Sequence, residues 1–277
     1  MKKILTTIAF SLLATSAMAS EVYIDQAGGS LNIDILQENG NNRVNTESDP
    51  MDADGNDIDI DIVQSGDANT ADLNFSMGAD STVFNYSATG DLNVIYGEIY
   101  GGIANTMTTT IIGSENLITY CKDYTNSVCN GIIVNNTDTT VTITGSNNET
   151  NLALDSADSV NTFDIGSTTP SDLNETNLTQ TSTGGYDVVT VTLDGDSNIT
   201  NLTQDTTDGN NQIVMNIVGS SNGIEVNQTG AAGYNQFNMD LTGSNNTITA
   251  DQQTATGYTY VNATITGDSN TVDIVQN

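Results

Sequence analysis

The chain has 277 residues with 25 Gly, 2 Pro, no Trp and no His, and its 4 basic and 35 acidic residues give a net charge of −31 at pH 7. A surface of that sign repels nucleic acid and anionic membranes, so neither is an expected partner. The sequence holds no His, no phosphate loop and no nucleophile elbow, and carboxylate pairs are too common for any one to be informative; an enzyme is not expected.

In chain order, Lys2 and Lys3 precede the apolar stretch ILTTIAFSLLATSA, and Ala17-Met18-Ala19 forms a small-x-small site. Residues 1–19 therefore read as a Sec signal peptide, and residues 20–277 as the mature chain. The stretch is too short to be read as a membrane span and no second apolar run follows, which predicts export without membrane insertion. In an oxidising compartment the 2 cysteines, Cys121 and Cys129, are expected to form a disulfide.

The mature chain then repeats itself. Ser20-x5-Gln26, Leu31-x5-Gln37 and Ile58-x5-Gln64 share one spacing, and the last is followed by SGDA and the anchor Asn69. Weaker anchors lie near Thr82, Asn93, Asn105, Asn116, Thr137, Asn148, Asn161 and Asn174, the last with Gln180 six residues on. Residues 46–57, acidic and Pro-containing, and 121–136, which hold both cysteines, break the register and are expected as loop insertions at a corner. DADGNDIDIDIV from Asp52 places oxygen ligands as in the start of an EF-hand loop, but Asp57 stands where Gly belongs and Val63 where Glu belongs. No specific metal site or other cofactor is predicted; the composition allows only weak, diffuse Ca2+ binding.

Towards the C-terminus the period is strict. Asn198, Asn222, Asn246 and Asn270 stand 24 residues apart, each with Gln six residues later: Gln204, Gln228, Gln252 and Gln276. A second series starts at Asp187, Asn211, Asn235 and Thr259 and closes on Leu193, Ile217, Leu241 and Ile265. Between anchor and close, apolar residues occupy every second position, the pattern of a half-buried strand. Gly195, Gly219, Gly243 and Gly267 mark one corner, and Gly185, Gly209, Gly233 and Gly257 the other, where a tight turn between strands often needs positive φ. A coil with two strands cannot bury its apolar row alone, whereas stacked coils can. The prediction is an all-β, two-sided β-solenoid of about ten coils with about 22 to 24 residues per coil. Its Asn and Gln side chains would align into inward ladders that hydrogen-bond along the stack. Outward Thr does not recur at one position, which argues against an ice-binding face.

The segments S20-EVYID-Q26-A-G28 and Q64-S-G66-D-A-N69 resemble the S-x5-Q-x-G-x-x-N-x5-Q repeat of curlins, the subunits of bacterial curli amyloid fibres. Two departures stand out: the Gln228-to-Asn235 interval is seven rather than five, and an aliphatic residue replaces Gln in the second strand of each C-terminal coil. The resemblance implies secretion to the surface of a Gram-negative cell through an outer-membrane pore, a nucleator as partner, and polymerisation into matrix fibres. The expected function is a structural subunit that self-associates by end-to-end stacking, the next coil after Gln276 belonging to another molecule. The alternative is a non-fibrous, surface-tethered acidic solenoid adhesin with calcium-dependent contacts.

Overall fold

The computed structural model describes residues 8–15, 20–23, 25–27, 30–38, 40–45, 51–54, 57–76, 81–113, 115–120, 132–145, 147–155, 160–166, 173–182 and 185–277. Every regular element among them is a β-strand, and the strands stack in parallel as coils of about 24 residues, forming a β-solenoid. Parallel pairing follows from the winding: each coil returns to the same side and runs in the same direction as the one below.

The register defines two faces. On the first, Ser20 pairs with Asn42, Asn42 with Asn69 and Asn69 with Asn93. Further on, Ile199 pairs with Gly223, Gly223 with Thr247 and Thr247 with Thr271. On the second, Leu31 pairs with Ile58, Ile58 with Thr82, Thr82 with Asn105 and Asn105 with Thr137. The longest strands, such as Ile199–Val218, Gly223–Thr242 and Thr247–Thr266, run across a corner and belong to both faces. The apolar segment Ile8–Thr15, inside the expected leader, lies as a strand on Ser30–Glu38, Ile8 opposite Leu31.

Alternation sets which side chains enter the core. Along Asp57–Ser65 the residues Ile58, Ile60, Ile62 and Gln64 are buried while Asp57, Asp59, Val63 and Ser65 are exposed. These residues form one extended strand, so the second half of the EF-hand-like segment does not wind as a loop; Gly55 and Asn56 of its first half lie outside the described residues. Phe84, Phe163 and Phe237 fill the same interior in other coils. Each such side chain contributes about 1.5–3 kcal/mol by leaving water.

The expected insertions are shorter than the sequence suggested. Met51–Asp54 stay in the stack, Asp52 pairing with Asp25 and Met51 with Leu73. Ile132 and Ile133 likewise pair with Leu154 and Asp155. Cys121, Cys129 and their expected disulfide lie outside the described residues. Asn161 is not an anchor: Thr139 pairs with it and it pairs with Val189, one inward position beyond the anchor row.

Candidate functional site

The inward amides form columns with a fixed direction. On the first face Asn42 Nδ2 donates to Asn69 Oδ1, and the pattern continues through Asn93, Asn116, Asn148, Asn174, Asn198 and Asn222 at 2.6–3.2 Å. Asn246 Nδ2 donates to Asn270 Oδ1 at 3.2 Å. The same oxygens also accept backbone N–H groups, as Asn222 Oδ1 does from Asn198 and Asn270 Oδ1 from Asn246. Only an oxygen can accept from N–H, so the backbone fixes which way each amide points. The one interruption is the buried Nδ2 of Asn222, which has no acceptor although its backbone N–H reaches Asn246 Oδ1 at 2.9 Å.

The glutamine column runs the opposite way. Gln204 Nε2 donates back to Gln180 Oε1, Gln228 to Gln204, Gln252 to Gln228 and Gln276 to Gln252, at 2.6–3.0 Å. Asn donors thus point up the chain and Gln donors point down it. Gln37 and Gln64 form a separate pair on the second face, where Gln64 Nε2 donates to Gln37 Oε1 at 2.8 Å. That pair ends on the hydroxyl of Tyr86, which donates to Gln64 Oε1 at 2.6 Å. Gln26 stands in register with Ala53, followed by Phe75, so its backbone column holds no second glutamine in those coils. On the second face Asp187, Asn211 and Asn235 share one buried column, with Asn211 Nδ2 donating to Asn235 Oδ1 at 3.1 Å.

The corners are as ordered as the columns, for two different reasons. Gly185, Gly195, Gly219, Gly233, Gly243 and Gly267 have φ between 107° and 144°, as a tight turn predicts. Gly209 and Gly257 do not adopt positive φ; there a Cβ would stand 2.6 Å from Gly185 O and 1.9 Å from Gly233 O. Coil-to-coil approach, not backbone dihedral, excludes a side chain at those two.

Sequence reading missed a further part of the corner. Ser197, Ser221, Asn245 and Ser269, each just before an Asn anchor, take the left-handed conformation at φ 60–65°. The residue before each also links coils: Asp196 Oδ1 accepts the N–H of Ser220, Ser220 Oγ that of Ser244, and Ser244 Oγ that of Asp268. The Asp or Ser two residues before each Asn anchor thus takes part in bonds between coils. Its signal was present as the recurrence of Asp or Ser, the residues that bond nearby backbone.

Outward acids also stack. Asp34 and Asp61 are neighbours in one column and Asp59 lies beside them. Partial burial, then the charges of Asp61 and Asp34, hold the Asp59 carboxyl above its usual pKa. Among the described residues no group of three or more His, Cys, Asp or Glu is arranged to hold a metal ion.

Neither family models nor curated proteins nor solved structures give a match to this chain.

Proposed function

We propose that the protein is a curlin-like structural subunit of an extracellular fibre, built by end-to-end stacking of solenoids. The observation that carries this reading is that one coil is complementary to itself. Its upper side offers an Asn donor and a Gln acceptor, and its lower side offers the Asn acceptor and the Gln donor, six residues apart on one strand. A surface whose top fits its own bottom makes heterologous contacts, which generate open filaments rather than closed rings. The opposed columns add direction: a coil set upside down would bring donor to donor and acceptor to acceptor. Buried amides left in that state cost about 1–3 kcal/mol each, so copies would join head to tail.

The remaining features fit a secreted, non-catalytic role. Export by the leader, a secretion pore and a nucleator as partners, and surface localisation rest on the curlin resemblance of Ser20–Gln26 and Gln64–Asn69. The acidic outer face means that lateral packing of fibres needs salt or divalent cations as a screen. The rival reading, a monomeric adhesin with calcium-dependent contacts, draws on the stacked Asp34, Asp59 and Asp61.

The test uses the chain with and without residues 1–19, followed by thioflavin fluorescence and fibre diffraction, with and without preformed seed. The expected result is seeded growth and a meridional reflection at about 4.7–4.8 Å. A protein that stays monomeric in high salt and in Ca2+, without that reflection, would sink the fibre reading in favour of the adhesin.

A further inference from the structure

The second face changes character towards its C-terminal coils. Its outward positions there read Tyr186, Asn210, Tyr234 and Tyr258 in one column, then Val188, Gln212, Gln236 and Tyr260 in the next. Thr190, Val214, Asn238 and Asn262 follow, and Asp240 is the one charged residue of the column beyond, with Thr192, Asn216 and Thr264. Hydroxyl, amide and aromatic groups thus make a nearly uncharged strip on a chain of net charge −31. The phenol rings are open to solvent: Tyr186 is 49% exposed, Tyr234 39% and Tyr258 78%. The Tyr186 ring is held by its hydroxyl, which donates to Gln212 Oε1 at 2.5 Å in the next coil, and the Tyr234 backbone is held by its N–H, which donates to Asn210 Oδ1 at 2.9 Å.

We propose that this strip binds an uncharged polysaccharide lying along the solenoid axis. A sugar ring has one face of C–H groups and a rim of hydroxyls; the first packs on a tyrosine ring, and the second needs neutral donors and acceptors such as Gln212, Gln236 and Asn238. The step between coils is ~4.8 Å, close to the length of one pyranose unit in an extended chain, so rings one or two coils apart stay in step with the sugar repeat. Charge selects the class of glycan. The remainder of the chain is acidic and would repel anionic polysaccharides, while the strip offers no cation to hold them. Exposed aromatic groups that the backbone register spaces regularly and that are free of charge mark a contact surface.

This inference goes beyond fibre formation and does not require it. The test is native electrophoresis of the soluble protein through gels containing hydroxyethylcellulose or alginate, and depletion of hydroxyethylcellulose by sedimented protein if fibres form. The expected result is retardation by hydroxyethylcellulose alone, unchanged between about 0.05 and about 0.5 M NaCl because no ion pair is involved. The triple variant Tyr186→Ala, Tyr234→Ala, Tyr258→Ala weakens retardation about tenfold or more, with unchanged circular dichroism. Tyr23→Ala, which removes an exposed tyrosine far from the strip, retains full binding. Equal retardation of the triple variant, binding that salt abolishes, or no retardation by hydroxyethylcellulose overturns the proposal. Self-association without polysaccharide that the triple variant removes also overturns it, because the strip would then be a contact between copies.

Discussion

The coils from Asp187 onward and those before it share one backbone and differ in what fills it. In the later coils like stacks on like: Gln204, Gln228 and Gln252 in one column, Asn211 and Asn235 in another. In the earlier coils the Asn column keeps its type, but other columns change residue between neighbours, as where Gln64 gives way to Ala88, or Ala53 to Phe75. Parallel pairing survives both, since main-chain hydrogen bonds do not depend on the side chain. What the difference teaches concerns polar groups: a buried amide column must either continue or end on a partner, and Tyr86 is such an end.

Substitutions at four positions and one fivefold variant sharpen that contrast. The largest effect is expected at Gly243→Ala, whose Cβ would stand 1.7 Å from Gly219 O at φ +144°. Strain and clash together should cost about 3–5 kcal/mol, read as a fall in the urea midpoint. At Gly166, in the less regular coils, a Cβ meets nothing nearer than 3.9 Å among the described residues, so Gly166→Ala should leave the midpoint unchanged or slightly raised. The contrast is one of position in the coil, since Gly90 and Gly113 in the earlier coils meet the carbonyl of the neighbouring coil at 1.7 Å as well; equal sensitivity at Gly166 and Gly243 would show that close approach does not set the cost.

Next in size is Gln228→Leu, which strips Gln204 Oε1 of its donor and Gln252 Nε2 of its best acceptor. Two orphaned buried groups should cost about 2–4 kcal/mol. Replacing Gln180, Gln204, Gln228, Gln252 and Gln276 together by Leu removes both partners of every bond and should cost far less per residue. A fivefold variant whose loss is five times that of the single one would show that the column acts as independent bonds.

The smallest effect belongs to the acidic face. Asp59 is held above its usual pKa, so the folded state binds its proton more tightly than the unfolded state does. Its contribution favours folding below the ordinary carboxylate pKa and is lost as pH rises through the raised value. Asp59→Asn should flatten that part of the pH–stability curve and change stability at neutral pH by no more than about 0.5 kcal/mol. A steeper pH dependence in the variant would contradict the assignment.

Much of this was legible in advance, and the particular residues show why. Period and alternation identified the solenoid because each coil needs one inward row, and the strict 24-residue spacing carried the columns from Asn198 to Asn270. Column direction was not legible, since Asn and Gln each carry both a donor and an acceptor and only backbone contacts such as Asn198 N–H to Asn222 Oδ1 decide between them. Asn161 misled because an anchor and a core amide look alike when the following positions alternate in the same way. Gly209 and Gly257 were recognised as corners for the wrong physical reason. The neutral tyrosine strip stayed hidden because its members are 24 or 48 residues apart and become neighbours only through the register.

The two amide columns also bear on electrostatics along the axis. In an α-helix all peptide dipoles point one way and sum to a macrodipole that grows with alignment. Here the side-chain dipoles of the Asn column are opposed, coil for coil, by those of the Gln column from Asn174 and Gln180 onward. Strand backbones add little, because their own dipoles alternate. The dipoles of the paired columns therefore build up little potential difference between the ends of the stack, whatever its length.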